Sequence, residues 1–250
     1  MTRVLSFLYG IIAYAVFLVA FLYAIIFVGN IASLGSITFP KVIDSGTTGS
    51  FMQSLLINAC LLSVFALQHS VMARPAFKKW WTTIVSPAIE RSTYVLLSSL
   101  ALLLLYWKWQ PMTDVVWKAD GVVANILTVL YYLGWLIVFF STFMINHFDL
   151  FGLKQVYNNM KGIQPGPGQF RVNWFYKIVR HPIMLGFIIA FWSAPVMTVG
   201  HLVFTATSTL YILIAVKFLE ERDLMKAHPV EYAAYKKNVP MLFPFLKSKK

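Results

Sequence analysis

Apolar runs of about twenty residues, the length of a membrane-spanning helix, constrain this chain more than any other feature of its sequence. Such runs cover residues 4–28, 51–73, 92–107 and 123–146, and a longer one covers 183–218. The chain is 59% hydrophobic and 12% charged, whereas about 25% of the residues in soluble domains are charged. The sequence therefore predicts an integral membrane protein.

The predicted fold class is an all-α integral membrane fold. We expect a helical bundle of about five to six transmembrane segments, the last two forming a helical hairpin, followed by a short C-terminal tail. The hairpin follows from a break near Gly200 and His201, which puts His201 in a loop between the two arms. The apolar run after Arg3 is longer than the apolar part of a signal peptide, so we expect it to remain as the first helix.

Charge and cysteine content narrow the function classes. Most Lys and Arg residues lie in 74–91, in 147–182 and in the C-terminal tail, and the net charge is +12. Because cytoplasmic loops carry an excess of Lys and Arg, we expect a multi-pass protein of the bacterial inner membrane with both termini and the active site in the cytoplasm. This bias explains the charge without nucleic acid. The single Cys60 excludes an internal disulfide, and no metal-ligand motif of the H-E-x-x-H kind occurs, so we expect no metal.

The unusual polar residues fall at helix ends on the predicted cytoplasmic side. Ionisable residues at such positions are costly and mark functional sites in membrane proteins. Five helix ends contribute them: His69, Glu90 and Arg91, His147 and Asp149, Arg180 and His181, and residues 220–223. We predict that the block around Arg180 and His181 meets the block around Glu220 and builds a cofactor site.

Two small features support the first block, and structural alternatives remain for several residues. Pro182 is suited to the first position of a helix, and Gly186 leaves room for another backbone or for a ligand. Arg180 could instead anchor a lipid headgroup, and His147 with Asp149 could only cap a helix. Either Glu220 or Glu221 could be a solvated helix end, and we favour Glu220 for the functional role.

One pattern resembles a known family: Arg180-His181-Pro182-x-x-x-Gly186, then Glu220-Glu221-x-x-Leu224 and Tyr232-x-x-Tyr235-x-x-x-Val239-Pro240. It is similar to the C-terminal half of the isoprenylcysteine carboxyl methyltransferases, membrane enzymes that use S-adenosylmethionine. The match covers roughly 165–244. The sequence departs from that pattern at Met184, where Tyr is usual, and at His228-Pro229, where Phe-Gly is usual.

Three segments of the N-terminal half, 68–75, 90–94 and 146–153, look like the bacterial methanethiol S-methyltransferase branch, which is related to NnrU-like proteins. The resemblance then extends over nearly the whole chain. It implies one membrane methyltransferase domain, with substrate-side helices in 1–150 and the S-adenosylmethionine-binding region in 151–250. It also implies conversion of methanethiol to dimethyl sulfide.

By matching positions, the resemblance implies that seven residues bind the cofactor, to which the two-block argument adds Arg180 and Gly186. The seven are Gln169, Phe170, Arg171, Tyr176, His181, Pro182 and Glu220. The segments distinctive of the methanethiol branch then supply the catalytic candidates. They are His69, Arg91, His147 and Asp149.

Methyl transfer to a thiol requires a base, because an alkyl thiol is mostly protonated near neutral pH while the thiolate is the nucleophile. Two hypotheses remain open. His147, oriented by Asp149, takes the proton, or His69 takes it while Arg91 lowers the pKa of the thiol. A small apolar thiol partitions into the lipid bilayer, so we expect it to enter a cavity between the helices from the membrane.

Other functions are compatible with the same residues. A prenylcysteine carboxyl group or a phospholipid could be the methyl acceptor. Sterol-reductase-like enzymes share the Arg-His-Pro pattern and use NADPH. A non-enzymatic membrane protein of NnrU-like architecture would bind neither cofactor.

Overall fold

The computed structural model describes residues 2–164 and 170–244, and most of these residues are helical. The helices are α1 (Arg3–Val28), α2 (Phe51–Met72), α3 (Pro75–Trp81), α4 (Pro87–Lys108), α5 (Gly121–Ile145), α6 (His147–Leu150), α7 (Leu153–Lys161), α8 (Pro182–Trp192), α9 (Val199–Ala215), α10 (Glu221–Ala227) and α11 (Pro229–Asn238). A 3-10 turn covers Trp174–Lys177 and a π-helical turn covers Val216–Glu220. The strands are β1 (Ser33–Leu34), β2 (Ile37–Thr38), β3 (Val115–Lys118) and β4 (Val196–Thr198); β1 pairs with β2 and β3 pairs with β4.

Five helices in the described part of the chain are long and apolar enough to cross a membrane. They are α1, α2, α4, α5 and the continuous helix Val199–Ala227, which joins α9 to α10 through the π-helical turn. The apolar helix α8 has 11 residues and is shorter than a spanning helix. The protein is therefore an all-α membrane protein, and the fold class predicted from hydropathy is confirmed.

The break in the last apolar stretch lies earlier than predicted. Helix α8 ends at Trp192, and Pro195 and β4 follow, before α9 begins at Val199. The Thr198 hydroxyl accepts a hydrogen bond from the His201 backbone N–H at 3.2 Å, which caps the first turn of α9. The prediction that His201 is a loop residue is wrong, because this cap starts the helix before it, and its side chain is buried.

Two compact units contain the described residues. The first comprises residues 2–114, 148–164 and 198–201. In it α1 packs against α4 and α7, and α2 packs against α4. One core cluster of this unit consists of Met72, Tyr94 and Val95, with Phe17, Ala73, Phe77, Trp81 and Phe151 packed around them.

The second unit comprises residues 115–147, 170–197 and 202–244, and α5 packs against α8 along much of their length. Two glycines permit this close packing. A Cβ atom on Gly186 would lie 2.7 Å from the Gly134 carbonyl oxygen, and one on Gly134 would lie 2.6 Å from the Ala190 backbone nitrogen. Helix α5, which the sequence grouped with 1–150, therefore packs with the C-terminal helices. A core of Ile188, Ile212, Val216 and Leu242 joins α8 to the last long helix and the tail.

Candidate functional site

A buried ion pair between Arg180 and Glu221 lies at the centre of the candidate site. The Arg180 Nε–H donates to Glu221 Oε1 at 2.7 Å, and Lys236 Nζ lies 3.0 Å from Oε2 of the same carboxylate. The Glu221 side chain is only 4% exposed, whereas that of Glu220 is 45% exposed. Because a buried charge needs a partner, Glu221 and Arg180 depend on each other. The structure thus brings together the two polar blocks, and it does so through Glu221.

The C-terminal tail is held to the same block by the backbone. The backbone N–H groups of Arg180 and His181 donate to the carbonyl oxygens of Pro240 and Met241, at 2.9 and 3.2 Å. Arg180 Nη1 also donates to the carbonyl oxygens of Lys236, at 3.2 Å, and Val239. The Arg180 guanidinium group therefore binds both the C-terminal tail and the Glu221 carboxylate.

His181 lies between two carboxylates at the start of α8. Its Nδ1 lies 3.5 Å from Glu220 Oε1, and its Nε2 lies 3.4 Å from Glu221 Oε1. Burial alone would lower the pKa of His181, but the hydrogen bonds and charges of Glu220 and Glu221 outweigh it and raise the pKa to about 9. Since both ring nitrogens face acceptors, the imidazolium form, with two N–H donors, suits this position.

The π-helical turn Val216–Glu220 directly precedes Glu221. A π-helical turn inserts an extra residue into the helical register, and such turns are frequent at functional sites. Here it ends at Glu220, and the consecutive carboxylates of Glu220 and Glu221 both reach His181, at Nδ1 and Nε2 respectively. In a regular helix consecutive side chains point about 100° apart.

Aromatic side chains border this ion-pair network. The Phe170 ring lies 5.4 Å from the His228 ring, 6.0 Å from Tyr232 and 5.5 Å from Tyr235. Burial, together with the negative charge of Glu221, raises the pKa of Tyr232 above its ordinary value. His228 lies directly before α11.

Tyr176 connects this network to the end of α5. Its hydroxyl is 3.5 Å from the Ser141 carbonyl oxygen, and its own carbonyl accepts a hydrogen bond from the Tyr235 hydroxyl. Burial, together with the charge of Glu220, raises the pKa of Tyr176 well above its usual range. Tyr176 is therefore a neutral residue that hydrogen-bonds to both the end of α5 and α11.

His147 is buried just beyond the end of α5, in the same unit. Its Nδ1 lies 2.8 Å from the Thr142 hydroxyl oxygen, and its ring stacks on Phe143 at 4.1 Å with an interplanar angle of 7°. Burial lowers the pKa of His147, so the imidazole is neutral at pH 7. A neutral, oriented histidine can act as a general base.

The other catalytic candidates lie in the first unit. The Tyr94 hydroxyl is 3.0 Å from His69 Nδ1 and 3.1 Å from Nε2. The Arg91 guanidinium carbon lies 5.3 Å from the centre of the Tyr94 ring, and Arg91 Nε–H donates to the Leu150 carbonyl oxygen at 2.8 Å. Tyr94 thus connects His69 to Arg91.

Asp149 belongs to the first unit as well. Its Oδ1 accepts a hydrogen bond from Gln155 Nε2 at 2.8 Å, and its Oδ2 pairs with Lys154 at 3.2 Å. These contacts attach the carboxylate to the first turn of α7. The orientation of His147 by Asp149 remains a prediction.

The remaining cofactor predictions fall in different environments. Pro182 is buried at the first position of α8, as expected from its fixed φ angle. The space at Gly186 is filled by the backbone of α5, which gives this glycine a packing role. Arg171 is exposed, and Gln169 lies outside the described residues.

Sequence reasoning missed two residues that the structure places in these networks, and it underrated a third. Glu221 was ranked below Glu220, although the contrast of the Glu221 carboxylate with the lysine-rich tail was a usable signal. Tyr94 follows Arg91 by three residues, about one helical turn, and Thr142 precedes His147 by five across the end of α5. Neither residue type is unusual in a membrane helix.

Comparison with known proteins places the chain in a family. Residues 56–243 match the family model described as NnrU protein. The chain is 51% identical to Methanethiol S-methyltransferase 2 of Bradyrhizobium diazoefficiens, over 98% of this chain and 92% of that protein. It is 50% identical to the Methanethiol S-methyltransferase of Mycobacterium tuberculosis, over 98% of both chains.

A more distant relative is Nurim of Mus musculus, 32% identical over 70% of each chain. No solved structure matches the sequence. The family match covers the helix ends that bear His69, Arg91 and His147 as well as the network around Arg180 and Glu221. This membrane protein belongs to the NnrU family.

Proposed function

We propose that the protein is an S-adenosylmethionine-dependent thiol S-methyltransferase that converts methanethiol to dimethyl sulfide at the cytoplasmic side of the bacterial inner membrane. The observation that carries the proposal is the presence, in one compact unit, of the Arg180–Glu221 network, the Phe170 aromatic group and the neutral imidazole of His147. Relatives about half identical over nearly the full chain are named for methanethiol methylation, which supports the acceptor.

The residues of the second unit fit the chemical groups of S-adenosylmethionine. Phe170 offers an aromatic face for a purine, and the half-exposed Glu220 carboxylate can accept hydrogen bonds from hydroxyl or ammonium groups. The Ser141 hydroxyl is buried and has no hydrogen-bond partner among residues 2–164 and 170–244, so a polar ligand atom is favoured beside it. Phe170, Tyr176, His181 and Glu220 would hold the cofactor, whose sulfonium supplies an electrophilic methyl group when bound.

The role of the protein in such a reaction is to orient the thiol, remove its proton and exclude water. His147 is the favoured base because it is buried, oriented through Nδ1 and neutral at pH 7. His69 with Arg91 is the alternative, since both contact Tyr94. The apolar helices let a small thiol approach from the bilayer, and burial of the site keeps competing water away.

Two measurements on detergent-purified protein test the proposal. Calorimetric titration with S-adenosylhomocysteine should show micromolar binding that Glu220→Ala and His181→Ala both weaken. Headspace gas chromatography should then detect dimethyl sulfide formed from methanethiol and S-adenosylmethionine.

Other results would contradict the proposal in distinct ways. Saturable binding of NADPH without binding of S-adenosylhomocysteine would favour a reductase. Methylation of a prenylcysteine or phospholipid with no dimethyl sulfide would change the acceptor. Binding of neither cofactor would favour a non-enzymatic member of the family.

A further inference from the structure

The hydroxyl of Thr142 has two partners that together define the direction of its hydrogen bonds. Its oxygen lies 2.7 Å from the Phe139 carbonyl oxygen and 2.8 Å from His147 Nδ1. A carbonyl oxygen can only accept, so the single hydroxyl proton of Thr142 points to Phe139. Threonine in helices commonly donates to the carbonyl three or four residues earlier in this way. The Thr142 oxygen must therefore accept a hydrogen bond from Nδ1–H of His147.

We infer that Thr142 is a positioning residue that fixes His147 in the Nδ1–H tautomer, so that Nε2 is the atom that accepts the proton of the thiol substrate. A neutral imidazole has one donor nitrogen and one acceptor nitrogen, and the partner of one nitrogen determines the role of the other. This inference rests on the proposed thiol methyltransferase function, because that reaction supplies the proton.

Packing fixes the ring plane as well as the tautomer. The ring of His147 lies parallel to that of Phe143 at 4.1 Å and meets the edge of Phe139 at 6.4 Å. With Nδ1 bonded to Thr142, rotation of the ring would break the hydrogen bond and the stacking together. His147 Nε2 therefore has one defined direction, as a base needs for proton transfer.

The charge balance of the step is simple. The S–H bond breaks, its electron pair stays on sulfur, and the proton passes to Nε2, which gives an imidazolium and a thiolate. The thiolate then forms a bond to the methyl carbon of S-adenosylmethionine while the bond from that carbon to the sulfonium breaks, and its electron pair leaves with the thioether S-adenosylhomocysteine. The imidazolium returns the proton to solvent. Both N–H groups of the imidazolium are donors, so the Nδ1–H bond to Thr142 is retained throughout the cycle.

In residues 2–164 and 170–244, few titratable groups lie on the elements that pack most closely against α5. The 3-10 turn packed against α5 contributes Tyr176 and Lys177, and α8 has no titratable side chain between Pro182 and Trp192. His181 precedes α8 and is paired with Glu220 and Glu221. Asp149, on α6 with His147, is bonded to Gln155 and Lys154. The group that a Thr142 substitution alters directly is His147, so a change in the pH profile is assigned to it.

The test compares Thr142→Val, which keeps the shape and removes the hydroxyl, with Thr142→Ser, which keeps the hydroxyl. We expect Thr142→Val to lower kcat by about five- to tenfold, the factor that one neutral hydrogen bond is worth, with little change in KM. Thr142→Ser should retain most of the activity. The calorimetric affinity for S-adenosylhomocysteine should be the same in both variants, which separates this effect from misfolding.

A second readout is independent of turnover. Nitrogen-15 NMR of histidine-labelled protein, with the His147 signals assigned by loss in His147→Asn, distinguishes the two tautomers. We expect Nδ1–H in the wild type and in Thr142→Ser, and a shift towards Nε2–H in Thr142→Val. An Nε2–H tautomer in the wild type, or the same tautomer and kcat in Thr142→Val, would overturn the inference.

The two readouts also separate this inference from the proposed function. If the wild type forms no dimethyl sulfide, the proposed function fails, and the base role of His147 Nε2 is overturned with it. The tautomer measured by NMR still tests whether Thr142 positions the ring. If the wild type forms dimethyl sulfide and His147→Asn is fully active, only the inference fails.

Discussion

Arg180 and Glu221, 41 residues apart in the sequence, form a buried ion pair in which Nε lies 2.7 Å from Oε1. The same guanidinium group donates to backbone carbonyls of the tail, and the same carboxylate contacts His181 and Lys236. These two side chains therefore connect the start of α8, the end of the long last helix and the C-terminal tail. Substitution of either one tests the whole arrangement.

Glu221→Gln should destabilise the protein far more than Glu220→Gln. Loss of the Glu221 charge leaves Arg180 buried without its counterion, which costs about 3–5 kcal/mol, or roughly 10 °C in unfolding temperature. The Glu220 side chain is half-exposed, and its substitution should change the midpoint by about 1–2 °C, consistent with a surface ion pair. Thermal unfolding in detergent at one scan rate measures both. Equal shifts in the two variants would contradict the central role of Glu221.

The stability contributed by His181 should be lost at alkaline pH. Its pKa is about 9 in the folded protein and about 6.5 when unfolded, so the contribution is complete below pH 6.5 and disappears as pH rises through 9. The difference corresponds to about 3 kcal/mol. The measurement is the unfolding midpoint of the wild type and of His181→Asn between pH 6 and 10.

The two curves should be furthest apart at about pH 6 and converge towards pH 10, because only the wild type has this group to lose. Tyr235, with a pKa raised to about 12, does not titrate in that range. A constant difference between the two proteins across the whole range would show that the charge of His181 does not stabilise the fold.

The sequence predicted the helices well because hydropathy depends on composition over about twenty residues. The predicted runs 4–28 and 51–73 agree with α1 and α2 within one residue at each end. The position of the last break was less predictable. Gly200 suggested it, but α8 ends earlier, at Trp192, and the Thr198 hydroxyl caps α9. Such local hydrogen bonds compete with general propensity.

The candidate site was predictable by residue type and less so by geometry. An arginine and a histidine are energetically costly at the end of a membrane helix, which indicated a functional block around Arg180 and His181. In the structure the Arg180–Glu221 hydrogen bond joins this block to the one around Glu220. Glu221 is buried directly after a π-helical turn, and a single sequence has no periodic signal for an inserted residue. Thr142 was missed because a threonine in an apolar helix is ordinarily satisfied by its own backbone.

Gly134→Ala and Gly186→Ala should each weaken the packing of α5 on α8. The new methyl groups would lie 2.6–2.7 Å from backbone atoms of the facing helix, and backbone cannot move aside as a side chain can. We expect a cost at or above the usual 1–3 kcal/mol for an overpacked core, measured by thermal unfolding in detergent. Gly49→Ala is the control, since its methyl group would meet a side-chain atom at 3.4 Å. If Gly186→Ala were as stable as Gly49→Ala while cofactor affinity fell, Gly186 would be a ligand contact.

The two candidate bases can be separated by matched substitutions. His147→Asn should lower kcat/KM for methanethiol by about a hundredfold or more, the typical contribution of a general base. His69→Asn should cost less than about tenfold, because both nitrogens of His69 lie within 3.1 Å of the Tyr94 hydroxyl and a lost hydrogen bond accounts for its effect. Dimethyl sulfide formation by headspace chromatography is the measurement, with S-adenosylhomocysteine affinity as the control for folding.

The pH dependence of kcat/KM offers a second way to identify which histidine is the base. Burial lowers the pKa of His147 below 6.5, and a base acts in its neutral form, so its limb of the kcat/KM profile should rise with pH below 6.5 and be level above it. Loss of this limb in His147→Asn, with its retention in His69→Asn, is the expected pattern. The opposite pattern would identify His69 as the base. Arg91, which contacts Tyr94 as His69 does, would then stabilise the thiolate.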